Sequence, residues 1–372
     1  MGEHPKEEWV DEAWSKMVEK IDQTSPIIGA GFPHVSKEGK YDCTGPHFWT
    51  AGFWPGLLWL VFRDTNNGEL KRIAEACESA MDACIDEYRN LHHDVGFMWS
   101  LTSVANYKLT GSEESKLRAL KAAAWLASRF NIRGNFIRAW NGESRTGLAI
   151  IDCMMNLSLL FWASDAIKDP RYKHIAVEHA NTVLREFIRE DGSVYHIVQF
   201  DPETGERVGA LGGQGFAPES AWARGAAWAL YGLAICYKYT KEDKYLQGSK
   251  KVAHFFLANL PEDLVPYWDF RLTTQEGAPR DSSAASIAAS GLLLLAELLP
   301  AEEGRLYGTA ARRMLKSMAD HYVIWDASDE AILPHGTGHW PAGKNIDVGL
   351  IYGDYYFVEA LSKLRGQTEL FW

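Results

Sequence analysis

Two aspartates stand where a carboxyl group could move protons. The first lies in His92-His93-Asp94-Val95-Gly96-Phe97, where two imidazoles flank a carboxylate just ahead of an apolar run. His93 and Asp94 could hold and protonate a polar ligand. Adjacent histidines in a loop rarely reach one ion together, so no metal is expected here. The second, Asp152, stands alone in Ile150-Ile151-Asp152-Cys153-Met154-Met155-Asn156. A carboxylate buried without a partner is costly, so it is either paired or protonated, and a raised pKa suits a general acid. The plain reading of both residues is a helix N-cap, a common place for Asp. If both do chemistry, glycoside cleavage is one reaction they fit, since it needs two carboxyls roughly 5–9 Å apart. A third group reads Gly212-Gly213-Gln214-Gly215, followed by Trp222-Ala223-Arg224-Gly225 and Trp228. Arg224 and Trp228 are four apart, hence on one helix face, which would set a guanidinium beside an aromatic plate. That suits a sugar carboxylate, although a purely structural Arg–Trp stack reads the same way.

The elements that must carry these groups come in pairs. Each pair has a nearly all-apolar helix rich in Gly, Ala and Ser, then a short turn, then an amphipathic helix with one charged face. Five pairs can be read: FWTAGFWPGLLWLVFRDT with GELKRIAEACESAMDACIDEY, VGFMWSLTSVANYKLTG with SEESKLRALKAAAWLASRF, IDCMMNLSLLFWASDAI with RYKHIAVEHANTVLREFI, SAWARGAAWALYGLAICYKYT with DKYLQGSKKVAHFFLANL, and SSAASIAASGLLLLAELL with EGRLYGTAARRMLKSMADHY. Helices near Glu8–Ile21 and Leu350–Leu364 make a sixth pair if the chain ends meet. Turns are expected at Asn66-Asn67-Gly68, Thr110-Gly111-Ser112 and Lys168-Asp169-Pro170. The pattern predicts an all-α (α/α)6 barrel, six inner and six outer helices in one domain over residues 1–372. The competing architecture is an open α-solenoid that binds other proteins, but solenoids keep a more regular period than this chain does. The longer loops, such as 31–47, 131–147, 192–219, 267–280 and 331–347, are expected to lead into the inner helices and to hold most of the Trp, His, Gly and Asp. One of them is expected to form a small hairpin near Ser193–Phe200.

Composition narrows the function. The net charge of −11, spread along the chain, argues against nucleic acid, which calls for clustered Lys and Arg. Fifteen tryptophans exceed what core packing asks for, and flat aromatic faces beside polar groups suit sugar rings. Five cysteines without a disulfide or zinc spacing fit free thiols in a reducing compartment. Cys77 and Cys84 are expected a heptad apart on one helix. The N-terminus is charged, lacks the apolar run of a signal peptide, and has Lys6 where a myristoylation motif wants Ser or Thr. No apolar run is long enough to span a bilayer. A cytoplasmic protein is expected.

Seven segments, HHDVGF, IIDCMMNLSLLFWA, YHIVQFDPETG, SAWARGAAWALYG, VPYWDF, PRDSSAASI and YGDYYFVEAL, resemble the unsaturated glucuronyl hydrolases, glycoside hydrolase family 88. FPHVSKEGKY and WTAGFWPGLLWL match as well, so the resemblance runs from about Phe32 to Leu364. It implies an (α/α)6 barrel without cofactor that adds water across the C4=C5 double bond left on a terminal uronic acid by a polysaccharide lyase. By that resemblance Asp152 is the general acid/base and Asp94 its assistant. Trp49, Trp140, His196, Gln214, Arg224 and Trp228 fall at substrate-binding positions. Departures exist: Gly213 replaces a His of some members, and a Tyr near Gly338 is missing. Where members active on sulfated disaccharides carry Ser-x-x-Ser-x-Lys, Lys344 remains as an anion contact but His339 and Ala342 replace the serines. The expected partner is an unsaturated uronic-acid oligosaccharide, glycosaminoglycan-derived. The rival readings are an unsaturated rhamnogalacturonyl hydrolase and a non-catalytic helical scaffold.

Overall fold

The computed structural model describes residues 8–87, 90–369 and 371–372. The N-terminal stretch that contains Lys6 lies outside the described residues. Six helices form the inner ring: Phe53–Thr65, the run Val95–Trp99, Ser100–Val104 and Ala105–Thr110, then Cys153–Ile167, Ala223–Thr240, Ser282–Leu298 and Ile351–Leu364. Each packs on the next, and the sixth returns to the first, which closes the ring. The outer helices are Gly68–Ala80, Glu113–Ser128, Arg171–Glu186, Asp243–Ala258 and Ala301–His321, with Glu8–Ile28 backing the sixth inner helix. This is an (α/α)6 barrel, with the chain ends meeting as the pattern requires.

Sequence character divides the two rings. From Cys153 to Ser164 every residue of the third inner helix is buried, whereas Arg171–Glu186 buries Tyr172, Ala176, Ala180 and Val183 along one stripe. The predicted turns hold. Asn66, Gly111 and Lys168 adopt the left-handed conformation at helix ends, and the Asn67 and Ser112 side chains accept from the backbone N–H groups of Glu69 and Ser115. Cys77 and Cys84 are both buried but do not share a helix, because Gly68–Ala80 ends before Met81 and Cys84 sits in a separate turn of helix. Part of the tryptophan excess has the plainer of its two possible causes, the filling of a wide core. Trp54, Trp59, Trp99, Trp228, Trp268 and Trp372 are fully buried, so wide-core packing uses many of them.

Two sheets organise the loops. Leu148–Ile150 pairs with Ile197–Phe200, which pairs in turn with Arg207–Leu211, so the hairpin expected near Ser193–Phe200 is part of a three-stranded antiparallel sheet. A four-stranded sheet, in the order Lys40–Cys43, Pro33–Lys37, Lys344–Leu350, Gly336–His339, joins the first long loop to the last. Among the described residues no helix is long and apolar enough to cross a membrane.

Candidate active site

Asp94 and Asp152 both occupy the N-cap position of an inner helix, yet neither side chain caps it. Their carboxyls are therefore free for other work. The second and third inner helices that carry them touch closely. A Cβ on Gly96 would lie 2.6 Å from the Asn156 Cβ, so only glycine permits the contact. Asn156 then links the two sites: its amide oxygen accepts from the Phe97 N–H at 2.7 Å, and its Nδ2 faces Asp94 Oδ1 at 3.4 Å and the Asp152 carbonyl at 3.3 Å. The three-stranded sheet brings a further group. Ile151 N–H donates to the His196 carbonyl at 3.0 Å, which sets His196 Nε2 3.7 Å from Asp152 Oδ2.

The surroundings push the two carboxyls apart in acidity. Burial, and then the charge of Asp94, raise Asp152 to a pKa of about 7, against a smaller opposing pull from Arg224. Its Oδ2 is buried and has no hydrogen-bond partner among the described residues. For Asp94, burial works upward, but His93, His92 and Asn156 together hold it below the usual carboxylate range. His92 Nδ1 lies 2.9 Å and His93 Nε2 3.4 Å from its two oxygens. The site thus holds one carboxyl that stays ionised near neutral pH and one that titrates there, the division of labour that acid–base chemistry needs. The donor atoms of His92, His93 and Asp94 fall within 4.8 Å of one another, close enough to invite a cation. Both imidazoles turn a nitrogen toward the one carboxylate.

Arg224 is buried at the start of the fourth inner helix. It forms an ion pair with Asp281, donates to the carbonyls of Thr337 at 2.9 Å and Gly338 at 2.8 Å, and donates to Gln214 Oε1 at 2.7 Å. Its guanidinium lies over Trp222, 4.6 Å from the ring, and over Tyr352 at 5.3 Å. The aromatic plate beside Arg224 is therefore Trp222 and not the expected Trp228. The helix begins only at Ala223, so Trp222 can fold back under the arginine. Trp228 has no exposed surface and packs on Phe97 and Tyr356. His93 is likewise fully enclosed, with Nε2 3.4 Å from the Asp94 carboxylate. His196 accepts the Gln214 N–H on Nδ1 at 2.9 Å, and burial keeps its pKa near 3. Nδ1 of the neutral ring also faces the Gly212 carbonyl at 3.2 Å. Trp49 is half-buried against Tyr352, with ring centres 4.9 Å apart, and Trp140 is half-buried under Arg145. Lys344 is exposed at the head of a strand, opposite His339.

This geometry has relatives. Residues 11–365 match the family model described as Glycosyl Hydrolase Family 88. The chain belongs to glycoside hydrolase family 88. It is 37% identical to the unsaturated chondroitin disaccharide hydrolase of Streptococcus pyogenes serotype M1, over 91% of this chain and 86% of that one. Its identity with the unsaturated glucuronyl hydrolase of Bacillus sp. strain GL1 is 36%, over 93% of this chain and 94% of that one. The crystal structure of the Bacillus sp. GL1 enzyme, responsible for the degradation of glycosaminoglycan, superposes with a TM-score of 0.94 at 35% identity, covering 98% of this chain and 99% of that one. An aspartate-to-asparagine variant of the Streptococcus agalactiae unsaturated glucuronyl hydrolase, complexed with dGlcA-GalNAc6S, has a TM-score of 0.86 at 33% identity, with 98% and 93% coverage.

Two residues of this family 88 hydrolase escaped the sequence reading of the site, Asp281 and Tyr352, and Trp222 was named there without its place beside Arg224. Asp281 did carry a signal. Like Asp94 and Asp152, it is an acidic residue immediately ahead of an apolar inner helix.

Proposed function

We propose that the enzyme hydrates the C4=C5 double bond of a terminal unsaturated glucuronic acid in lyase-generated, glycosaminoglycan-type oligosaccharides, with the closed ring acting as one catalytic domain. Protonated Asp152 delivers its proton to C4. Water adds at C5, and the Asp152 carboxylate takes up the proton that the water releases. The resulting hemiketal opens and frees the remaining sugar and a keto-uronate. Asp94, ionised, keeps the Asp152 proton in place until substrate arrives and accepts hydrogen bonds from ring hydroxyls. The observation that carries this reading is the raised pKa of Asp152, about 7, beside a carboxyl held low. The names of the relatives support the glucuronyl substrate over a rhamnogalacturonyl one, and membership of a hydrolase family sets the scaffold reading aside. Arg224 orients the uronate end through Gln214, a role supported by its bond to the Gln214 side chain and the balance of its charge by Asp281. Five free cysteines support a reducing, cytoplasmic setting.

The test is optical, because hydration removes the enol-ether absorbance in the ultraviolet. Wild-type protein should bleach chondroitin- or heparin-derived unsaturated disaccharides. Asp152→Asn should keep the native circular dichroism yet lose activity by roughly 10²–10⁴-fold. Bleaching of rhamnogalacturonan products alone would favour the rival substrate. An Asp152→Asn variant with more than about a tenth of normal turnover would remove the carboxyl from the mechanism.

A further inference from the structure

Arg129 lies behind the site, half-buried at the end of the second outer helix, Glu113–Ser128. Its guanidinium directs donors at one short segment. Nε bonds the Arg138 carbonyl at 2.9 Å, Nη2 the Ala139 carbonyl at 3.1 Å, and Nη1 the Asn141 Oδ1 at 2.8 Å. The backbone repeats the tie, because the Arg138 N–H donates to the Arg129 carbonyl at 3.0 Å. Three acceptors met by one planar fork suit arginine and not lysine.

The segment so held joins the two loops that carry the carboxyls. The Ala139 carbonyl also accepts from the His93 N–H at 3.2 Å, and the Ala139 N–H donates to the Leu148 carbonyl at 2.8 Å. His93 immediately precedes Asp94, and Leu148 opens the strand that ends at Ile150, two residues before Asp152. Asn141 adds a link, its Nδ2 donating to the Leu91 carbonyl at 2.8 Å. Buried Ala139 is thus a strut between the Asp94 loop and the Asp152 strand, and Arg129 braces it from behind.

We propose that Arg129 is a positioning residue for the hydration reaction, setting Asp94 and Asp152 at their working separation through the Ala139 strut. The role rests on the glucuronyl hydrolase reading above. Asp152 must reach the double bond while Asp94 stays beside it, and a misplacement of about 1 Å can cost about 10²-fold in rate. Burial lowers the pKa of His93 to about 4, with the Arg129 charge adding to the effect and Asp94 opposing it, so the same arginine also helps to keep the ring beside Asp94 neutral.

The experiment follows bleaching of a chondroitin-derived unsaturated disaccharide. Arg129→Ala should keep the native circular dichroism and lower kcat by about 10- to 100-fold, with KM moved by less than about threefold. Arg129→Lys should be nearly as slow, because it restores the charge without the fork. Millimolar guanidinium chloride should return activity to the alanine variant several-fold, and ammonium chloride should not, a difference that lost stability alone would not produce. Asn141→Asp keeps an acceptor for Arg129 but removes the donor to Leu91, and should lower kcat by about three- to tenfold. A kcat within about twofold of wild type in Arg129→Ala or Arg129→Lys, or a loss in Arg129→Ala that guanidinium leaves untouched, overturns the role. If Arg129→Ala does not fold, Asn141→Asp decides, and a normal kcat there overturns it. No bleaching by wild-type protein would overturn the hydrolase reading itself and the role with it.

Discussion

At the scale of single residues, the buried acid Asp152 has a thermodynamic signature separate from its chemistry. Its folded pKa, about 7, lies above the ordinary 3.8, so the folded protein prefers it protonated. The associated stability is fully present below about pH 4 and is lost as pH rises through 7, a difference of about 4 kcal/mol. Asparagine is the neutral shape-match. Asp152→Asn should therefore melt at a higher temperature than wild type at pH 8, with a gap that shrinks steadily toward pH 4. Paired thermal melts across that range would check it, and a gap independent of pH would mean that Asp152 does not titrate as its burial requires. The sequence made this residue visible because a lone carboxyl in Ile150-Ile151-Asp152-Cys153-Met154 has no innocuous place to go. The pairing of Arg224 with three of its partners was invisible for the opposite reason. Asp281, Thr337 and Gly338 are distant in the chain and meet the arginine only in the closed ring.

Among the elements, the helices were legible because their apolar period is long and unbroken, and of the sheets only the hairpin near Ser193–Phe200 was. Strands such as Leu148–Ile150 and Lys40–Cys43 span too few residues for alternation to stand out, and their partners come from far along the chain. The π turn at Ser100–Val104 in the second inner helix also leaves no mark in the apolar pattern. What the sequence did carry was the small residues of the inner helices. Gly96 against Asn156 and Gly232 against Met154 both sit where a Cβ would come within 2.6 Å of the next helix. Gly96→Ala forces the second inner helix off the third at the contact that sets Asp94 beside Asp152. It should destabilise the fold by about 1–3 kcal/mol or more and reduce kcat in the fraction that remains folded. Urea denaturation read together with active-site turnover would separate the two effects. Unchanged turnover in a destabilised variant would show that the catalytic pair tolerates movement of its helices.

Across the whole molecule, the ring is held shut by contacts between the first and sixth inner helices and by a residue from beyond the sixth. Trp372 folds back into the core, where its ring stacks on Tyr356 at 5.7 Å and meets Phe97 edge-on at 5.9 Å. Its indole N–H donates to Glu359 Oε2 at 2.7 Å, and its carbonyl accepts from the Tyr239 hydroxyl at 3.1 Å. One side chain thus touches the second and sixth inner helices, and its backbone reaches the fourth. This is one use of the tryptophan-rich composition that has nothing to do with sugar. A ring wide enough to need large fillers is stabilised by aromatics packed across it. Trp372→Ala removes the filler and takes the indole N–H from Glu359 Oε2, since Tyr231, Ser290 and Lys363 all bond Oε1, so packing and a buried hydrogen bond are lost together. The variant should lose about 3–5 kcal/mol of stability, seen as a lower urea midpoint. Well below its melting temperature it should still turn over disaccharide near the wild-type rate, because Trp372 contacts neither Asp94 nor Asp152. Equal stability would mean that the ring closes without this contact. A stable variant with depressed kcat would instead mean that Trp372 acts through Phe97, whose backbone N–H is bonded to Asn156.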